Sequence, residues 1–314
     1  MRALHAYPPD PAGHVRVLVE DAPDPVPGPS DALVRVEAVG LTKDELSWND
    51  AFSHPDDAVR SPIVLGHELA GVLGAVPTTA PKLSVGDSVW GLIAFDRDGV
   101  AAESVVVNAA DLARRPAELS ATSAAALALT GLTAWQALHT HADLRAGQHV
   151  LVLGAGGSVG SVVLQLARAG GARVTAAARA SHHDRLRQLG ADAVIDTDTQ
   201  AVSSGPQDVD IAVDAAGPHF HLDAIGRIKA GGILISVTVP PNDQVKARAG
   251  EAGVRTTYFI VKPNPEQLDQ LAGLVVSGQL IAPATHTVAL ESAAGIFDHT
   301  GLAPSGIKTV LELG

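Results

Sequence analysis

Apolar and polar positions divide the chain into two textures. In the middle, short runs that are apolar almost throughout alternate with amphipathic ones. Residues 150–153 are all apolar and run into Gly154-Ala155-Gly156-Gly157-Ser158-Val159-Gly160. Val162, Val163, Leu164, Leu166 and Ala167 then continue as an apolar, helix-like stretch. Residues 174–178, 193–196, 209–214 and 232–237 read as further strands, with a helix over 184–189. Strands that are apolar on both sides and alternate with helices imply an α/β fold: a doubly wound parallel sheet covered on both faces.

The first 120 or so residues look different. Short β-like segments at 2–6, 15–20, 32–39, 69–75, 88–93 and 101–107 are separated by turn clusters, among them the Pro-rich stretch 21–29. That texture predicts a compact, mostly antiparallel β domain. Residues 121–139 are rich in Ala and Leu and read as a helix interrupted by Gly131. Residues 265–277 carry a helical period in Leu268, Leu271, Leu274 and Val275. The β texture returns at 285–289 and 308–313. The tail is therefore expected to rejoin the first domain. The expected division is 1–120 with 276–314, against 121–275.

The glycine cluster has a physical reading of its own. Strand, tight turn and helix in that order is the layout of a dinucleotide-binding unit. One glycine permits the sharp turn, one lets backbone approach a pyrophosphate, and one lets helix pack on strand. The helix N-terminus offers unpaired N–H groups and a positive dipole end to phosphates. The spacing here is G-x-x-G-x-x-G, at Gly154, Gly157 and Gly160. An NAD-preferring site places an acidic residue at the end of the second strand to hold the ribose 2′-hydroxyl. Ala178 stands there, followed by Arg179. Nothing repels a 2′-phosphate, and a guanidinium matches it with two donors. NADPH is therefore expected over NADH, with Arg185 and His182 close enough in sequence to assist. The plainer alternative is a solvated surface arginine.

Composition narrows the field. The chain has 314 residues, 46% of them hydrophobic, and a formal net charge of −12. It is long enough for two cores, and its acidity argues against nucleic acid or an anionic membrane as partner. No apolar run approaches the roughly 20 residues that span a bilayer. The first residues lack the apolar core of a secretory signal. A cytoplasmic protein is expected. The sequence contains no cysteine, so it has no disulfide and no thiolate ligand for zinc. The histidine pairs His139/His141 and His182/His183 lack ligand spacing, and no metal site is expected.

Several motifs in one order resemble a known superfamily. They are residues 33–41 ending in Val39-Gly40-Leu41, the segment 64–72 containing Gly66-His67-Glu68, and the turn Val85-Gly86-Asp87-Ser88-Val89-Trp90-Gly91. Gly131-Leu132-Thr133-Ala134, the glycine loop and Leu189-Gly190-Ala191-Asp192 follow. Together they resemble the medium-chain dehydrogenase/reductases, and within them the zinc-free quinone oxidoreductase, or ζ-crystallin-like, branch. The resemblance implies a Rossmann-type NADPH domain joined to a GroES-like catalytic domain. It also implies a homodimer paired through an edge strand, with 233–237 and 254–260 as candidate edges.

It further implies particular contacts. Thr130, Gly154, Gly156, Gly157, Ser158, Val159, Gly160, Ala178, Arg179, Ala216, Gly217, Val237, Thr238, Tyr258 and Phe259 fall at cofactor-binding positions. Plain core aromatics are an equal reading for the last two. Zinc-dependent members carry a cysteine ligand where Thr42 stands here, and His67 matches their second ligand. Without thiolate, His67 reads as a histidine wedged in the domain interface and Glu68 as a locally hydrogen-bonded carboxylate. Thr42, Lys43 and Trp48 are catalytic candidates: an oxyanion donor, an electrostatic support and a stacking surface, each with a plain surface or packing alternative. The implied activity is hydride transfer from NADPH to a quinone or an α,β-unsaturated carbonyl. The alternatives are an enoyl-thioester reductase, or a non-catalytic NADPH-binding protein with a structural or redox-sensing role.

Overall fold

The computed structural model describes residues 1–42, 45–47, 52, 60–297, 303–304 and 306–313. Lys43 and Trp48 lie outside the described residues. By internal contacts the chain forms two compact units. The first is Met1–Leu129, Lys262–Val276 and Ala282–Gly314; the second is Thr130–Val261 and Ser277–Ile281. This division differs from the expected one at 121–129 and 262–275, which group with the first unit, and at 277–281, which group with the second.

The chain opens with β1 (Arg2–Tyr7), β2 (Arg16–Asp21), β3 (Asp31–Leu41), β4 (Ile63–Val64), β5 (Glu68–Ala75), β6 (Ser88–Leu92), β7 (Ser104–Asn108) and β8 (Leu112–Arg114). Helix α1 (Ala121–Trp135) runs on into a π-helical turn at Gln136–His141. The second unit then alternates β9 (His149–Leu153), α2 (Ser158–Ala169), β10 (Arg173–Ala178), α3 (His183–Gln188), β11 (Ala193–Asp196), β12 (Val209–Asp214), α4 (His221–Ile225), β13 (Ile228–Ser236), α5 (Asp243–Glu251) and β14 (Arg255–Tyr258). The chain ends with α6 (Pro265–Val276), β15 (Thr285–Ala289), α7 (Ala294–Phe297) and β16 (Lys308–Glu312).

In the first unit, β1 pairs antiparallel with β2 and β4. A second sheet runs β15-β16-β3-β5-β6-β8, with β7 also paired to β3. All its pairings are antiparallel except β15 with β16. Strand β3 sets the geometry. Its residues alternate between buried and less buried until Ala38, and from there to Leu41 all are buried. The alternation ends where α1 covers the second face: a Cβ on Gly40 would lie 2.5 Å from the Ala125 carbonyl oxygen and 2.9 Å from the Glu68 carboxylate. The register puts Glu68 opposite Gly40 on one side and Thr309 opposite Leu41 on the other. The C-terminal end of β3 therefore passes between the start of β5 and the start of β16. Leu4, Leu65, Leu69, Leu73 and Leu311 are among the buried residues of this unit's core.

In the second unit the strand order is β11-β10-β9-β12-β13-β14, all parallel. Every residue of β9 is buried, as a central strand covered on both faces requires. Order reverses between β10-β9 and β12-β13, which opens a crevice at the carboxyl ends of β9 and β12. Of the two candidate edge segments, 233–237 falls in β13, which is flanked by β12 and β14. Of the two, only the segment containing β14 lies at an edge of the sheet, and β11 forms the opposite edge.

Candidate functional site

Two groups of residues stand out, one in each unit. The first lies at the carboxyl edge of the parallel sheet. β9 ends at Leu153, and Gly154 turns the chain with φ +72°. A Cβ there would meet the Ala216 side chain at 2.9 Å and the Ala215 carbonyl at 3.0 Å, so the loops after β9 and β12 touch. Gly157 caps α2, which places Ser158, Val159 and Gly160 in the first helical turn. Their N–H groups have no acceptor inside the helix. Gly160 packs so tightly that a Cβ would lie 2.3 Å from the Gly154 carbonyl oxygen. At Gly156 a Cβ would lie 2.6 Å from the His182 ring. With these first-turn donors left over, the loop is a backbone cradle that suits a dinucleotide's pyrophosphate.

Around it stand the other residues expected from the sequence. Ala178 is buried at the end of β10, and its carbonyl accepts from the Thr197 N–H at 3.2 Å and lies 3.0 Å from His183 Nε2. Arg179 is largely exposed, with its Nε 4.0 Å from Asp198. His182 sits below the usual histidine pKa because of its burial and because Arg185, Arg179 and His183 crowd it with positive charge. Thr130 is buried in α1.

The loop after β12 is held by Asp214, which is fully buried. Its Oδ1 accepts from the N–H groups of Ala216 (2.9 Å) and Gly217 (3.1 Å). Its Oδ2 faces His221 Nε2 at 2.8 Å and the Thr238 hydroxyl at 3.4 Å. The N–H groups of Ala216, which is exposed, and Gly217, which is buried, are thus already engaged. Val237 donates its N–H to the Asp214 carbonyl, which ties the loops after β12 and β13 together. Tyr258 ends β14, and the Phe259 ring lies 4.3 Å from that of His141. Sequence reasoning missed the Asp214–His221 pair. Its one signal was an acidic residue closing a strand that is apolar apart from Asp210.

The second group lies in the first unit, where β16, β3 and β5 meet. Lys308 Nζ is 2.5 Å from Glu68 Oε1 and donates to Thr42 Oγ1 at 3.0 Å. The other Glu68 oxygen accepts from the Leu129 N–H at 2.9 Å. Both charged side chains are buried, with 8% of Lys308 and 1% of Glu68 exposed. Burial pushes the Glu68 carboxyl above the usual range, opposed by Lys308 and the Leu129 N–H. Beside them Glu45 Oε1 accepts from the Gly66 N–H at 2.8 Å and faces His67 Nδ1 at 2.9 Å. The His67 ring lies 5.0 Å from that of Phe95. Glu68 is therefore not a locally bonded carboxylate: its partner is 240 residues further along the chain. Lys308 was not singled out from the sequence, because nothing local marks it.

The chain belongs to the medium-chain dehydrogenase/reductase superfamily and is an oxidoreductase. The zinc-binding dehydrogenase family matches residues 158–262, and the alcohol dehydrogenase GroES-like domain matches residues 28–117. Among curated relatives, the chain is 30% identical over 273 residues to a probable zinc-binding mitochondrial oxidoreductase of Arthroderma benhamiae, covering 81% of each chain. It is 30% identical to a chloroplastic quinone oxidoreductase of Triphysaria versicolor, covering 83% of each. The solved structure of a quinone oxidoreductase from Coxiella burnetii superposes with a TM-score of 0.87 at 25% identity, over 100% of this chain and 99% of that one.

The family name raises the question of zinc. Thr42, which the resemblance sets where zinc-dependent members carry a thiolate, has an oxygen that already accepts from an ammonium group. A hydroxyl, an ammonium and a carboxylate paired to that ammonium do not make a zinc-binding donor set. Among the described residues no group of three His, Asp or Glu is placed to hold a metal ion. No helix among them is long and apolar enough to cross a membrane.

Proposed function

We propose that the chain is a zinc-independent, NADPH-dependent reductase that delivers hydride to a quinone or an α,β-unsaturated carbonyl compound. The observation that carries this reading is the Thr42–Lys308–Glu68 contact at the position of the family's thiolate ligand. A hydroxyl donor stabilises an oxyanion by hydrogen bonding but is no substitute for a Lewis acid on a simple alcohol or ketone. It suits an acceptor whose developing charge delocalises over a conjugated system.

When bound, NADPH supplies the hydride. The N–H groups of Ser158, Val159 and Gly160 hold its pyrophosphate at the start of α2. Arg179 and His182 meet the 2′-phosphate. Thr130, Ala216, Gly217, Val237, Thr238, Tyr258 and Phe259 frame the nicotinamide half. The proton that completes reduction comes from water. We take the protein to be a cytoplasmic homodimer paired along the open edge of β14, a state that light scattering on the purified protein measures.

The test is loss of reduced-cofactor absorbance with a panel of quinones, enones and enoyl thioesters. Turnover of quinones or enones, a lower KM for NADPH than for NADH, and indifference to a zinc chelator are expected. Preference for NADH overturns the cofactor assignment. Zinc-stimulated oxidation of simple alcohols overturns the reaction class. Tight NADPH binding without turnover of any acceptor leaves only a binding protein.

A further inference from the structure

We infer that Lys308 is the fixed cation of this site and that it works through Thr42. The inference rests on the reductase reading above. It begins with the direction of one hydrogen bond. An ammonium group has three donors and no acceptor. In the 3.0 Å contact the nitrogen must therefore donate, and Thr42 Oγ1 must accept. The Thr42 hydroxyl proton is left to point elsewhere. Among the described residues no hydrogen bond takes it up. A hydroxyl whose oxygen is held by a cation and whose proton is uncommitted is a preorganised donor to an anion. The cation also polarises the O–H bond, which strengthens that donation.

The surroundings hold this arrangement in one geometry. Lys308 begins β16 and Thr42 follows β3, and the antiparallel register that pairs Thr309 with Leu41 brings the two side chains together. Glu68, opposite Gly40 on the other side of β3, fixes the ammonium from behind. The missing Cβ at Gly40 makes room for the Glu68 carboxylate. A buried ion pair is a poor way to stabilise a fold, because two apolar side chains of similar volume do as well or better. The pair makes sense as a device that holds a positive charge next to one hydroxyl.

The chemistry balances without any proton leaving Thr42 or Lys308. The acceptor carbon gains hydride from the reduced nicotinamide, and the π electrons of the conjugated system move to the oxygen. The resulting oxyanion takes the Thr42 hydrogen bond, and water then supplies the proton. Lys308 touches neither substrate nor cofactor, so it is a positioning residue.

Steady-state kinetics on an enone or quinone that the wild type reduces provides the test. Thr42→Val is expected to lower kcat about a hundredfold, the usual scale for one lost oxyanion donor, with the NADPH dissociation constant unchanged. Thr42→Ser, which keeps the hydroxyl, is expected to retain most of the rate. The paired variant Lys308→Met/Glu68→Gln removes both charges together and is expected to lower kcat by roughly tenfold or more. Added to Thr42→Val, the same pair is expected to do almost nothing further, because residues that act as a unit are not additive. A merely structural pair would instead add its cost in either background. Undiminished kcat in Thr42→Val overturns the inference, and that variant removes no charge, so it stays informative if the charge variants fail to fold. Full additivity overturns it as well. A wild type inactive on every quinone and enone sinks the reductase reading itself, whereas these outcomes in an active enzyme sink only the role of Lys308.

Discussion

The two groups of residues are built from different materials. At the edge of the parallel sheet the site is mostly backbone: a left-handed glycine, three N–H groups in a first helical turn, and loops tied to each other through Asp214. In the first unit the site is side chain: a buried ammonium, two buried carboxylates and a hydroxyl brought together by strand register. A backbone site tolerates any residue that fits its shape and fails when a Cβ intrudes. A side-chain site tolerates shape changes and fails when a charge is left alone.

That contrast is broken most sharply at Lys308. Lys308→Met strands the Glu68 carboxylate in the interior, and removing one member of a buried pair costs about 3–5 kcal/mol. Urea unfolding of the folded enzyme measures it. Lys308→Met/Glu68→Gln is expected to recover most of the loss. If the single variant unfolds no earlier than the wild type, the charges are not buried as a pair and the contrast fails.

The corresponding break in the backbone site is smaller. Gly160→Ala drives a methyl group against the Gly154 carbonyl, 2.3 Å from its oxygen. Overpacking of that kind costs about 1–3 kcal/mol, and NADPH affinity is expected to fall with it. At Gly157 the same Cβ would lie 3.3 Å from that oxygen. Gly157→Ala is expected to cost under about 1 kcal/mol, the scale of a helix-cap change. Thermal unfolding and fluorescence titration with NADPH compare the two. Equal losses would mean that the loop adjusts and that its glycines are not placed by close packing.

The difference in material also explains what the sequence discloses. Backbone sites need glycines at fixed spacing, so the loop at 154–160 is visible as a local pattern. Strands buried on both faces are visible as apolar runs, and 209–214 has the same bounds in sequence and structure; the more exposed strands 193–196 and 285–289 keep theirs as well. Helix α5 escapes notice because only Val245 and Ala249 are buried along DQVKARAGE, too few to make a stripe. Strand β4 escapes because it is two residues long. Thr42, Glu68 and Lys308 are far apart in the chain, and only the register of three strands unites them. The turn Asp96-Arg97-Asp98 makes the same point. It reads as a local ionic cluster, yet Arg97 pairs with Asp31 at 3.1 Å and Asp98 with Arg60 at 2.7 Å.

An exposed side chain tests the backbone site from another direction. Arg179 is largely exposed and only loosely paired with Asp198 at 4.0 Å, so its guanidinium is available to a phosphate. Arg179→Ser is expected to raise the NADPH dissociation constant roughly tenfold, the scale of one charge-assisted contact, and to leave NADH binding unchanged. Equal effects on both cofactors would remove Arg179 from 2′-phosphate recognition. They would leave the crevice selective by shape alone.

The finest comparison sets one carboxylate from each unit against the other. Burial raises Glu68, and its partners do not fully compensate. Burial also acts to raise Asp210, but the His149 N–H at 2.8 Å and the Lys229 ammonium at 2.5 Å outweigh it, and its pKa falls below the usual value. The signs of linkage are therefore opposite. Native Glu68 binds a proton more readily than the unfolded chain does. Its contribution is present below the ordinary glutamate value of about 4.3 and is lost as pH rises through its folded value. Native Asp210 binds a proton less readily. Its contribution is present above the ordinary aspartate value of about 3.9 and is lost as pH falls through its folded value. Unfolding free energies of the wild type minus Glu68→Gln are expected to decline with rising pH, and those of the wild type minus Asp210→Asn to climb. Lys229 is half exposed, so solvent screening leaves the Asp210 slope the shallower of the two. Slopes of the same sign would mean that Glu68 is held ionised by Lys308 at every pH. The side-chain site would then behave like an ordinary surface ion pair, and the contrast between the two units would reduce to one of burial alone.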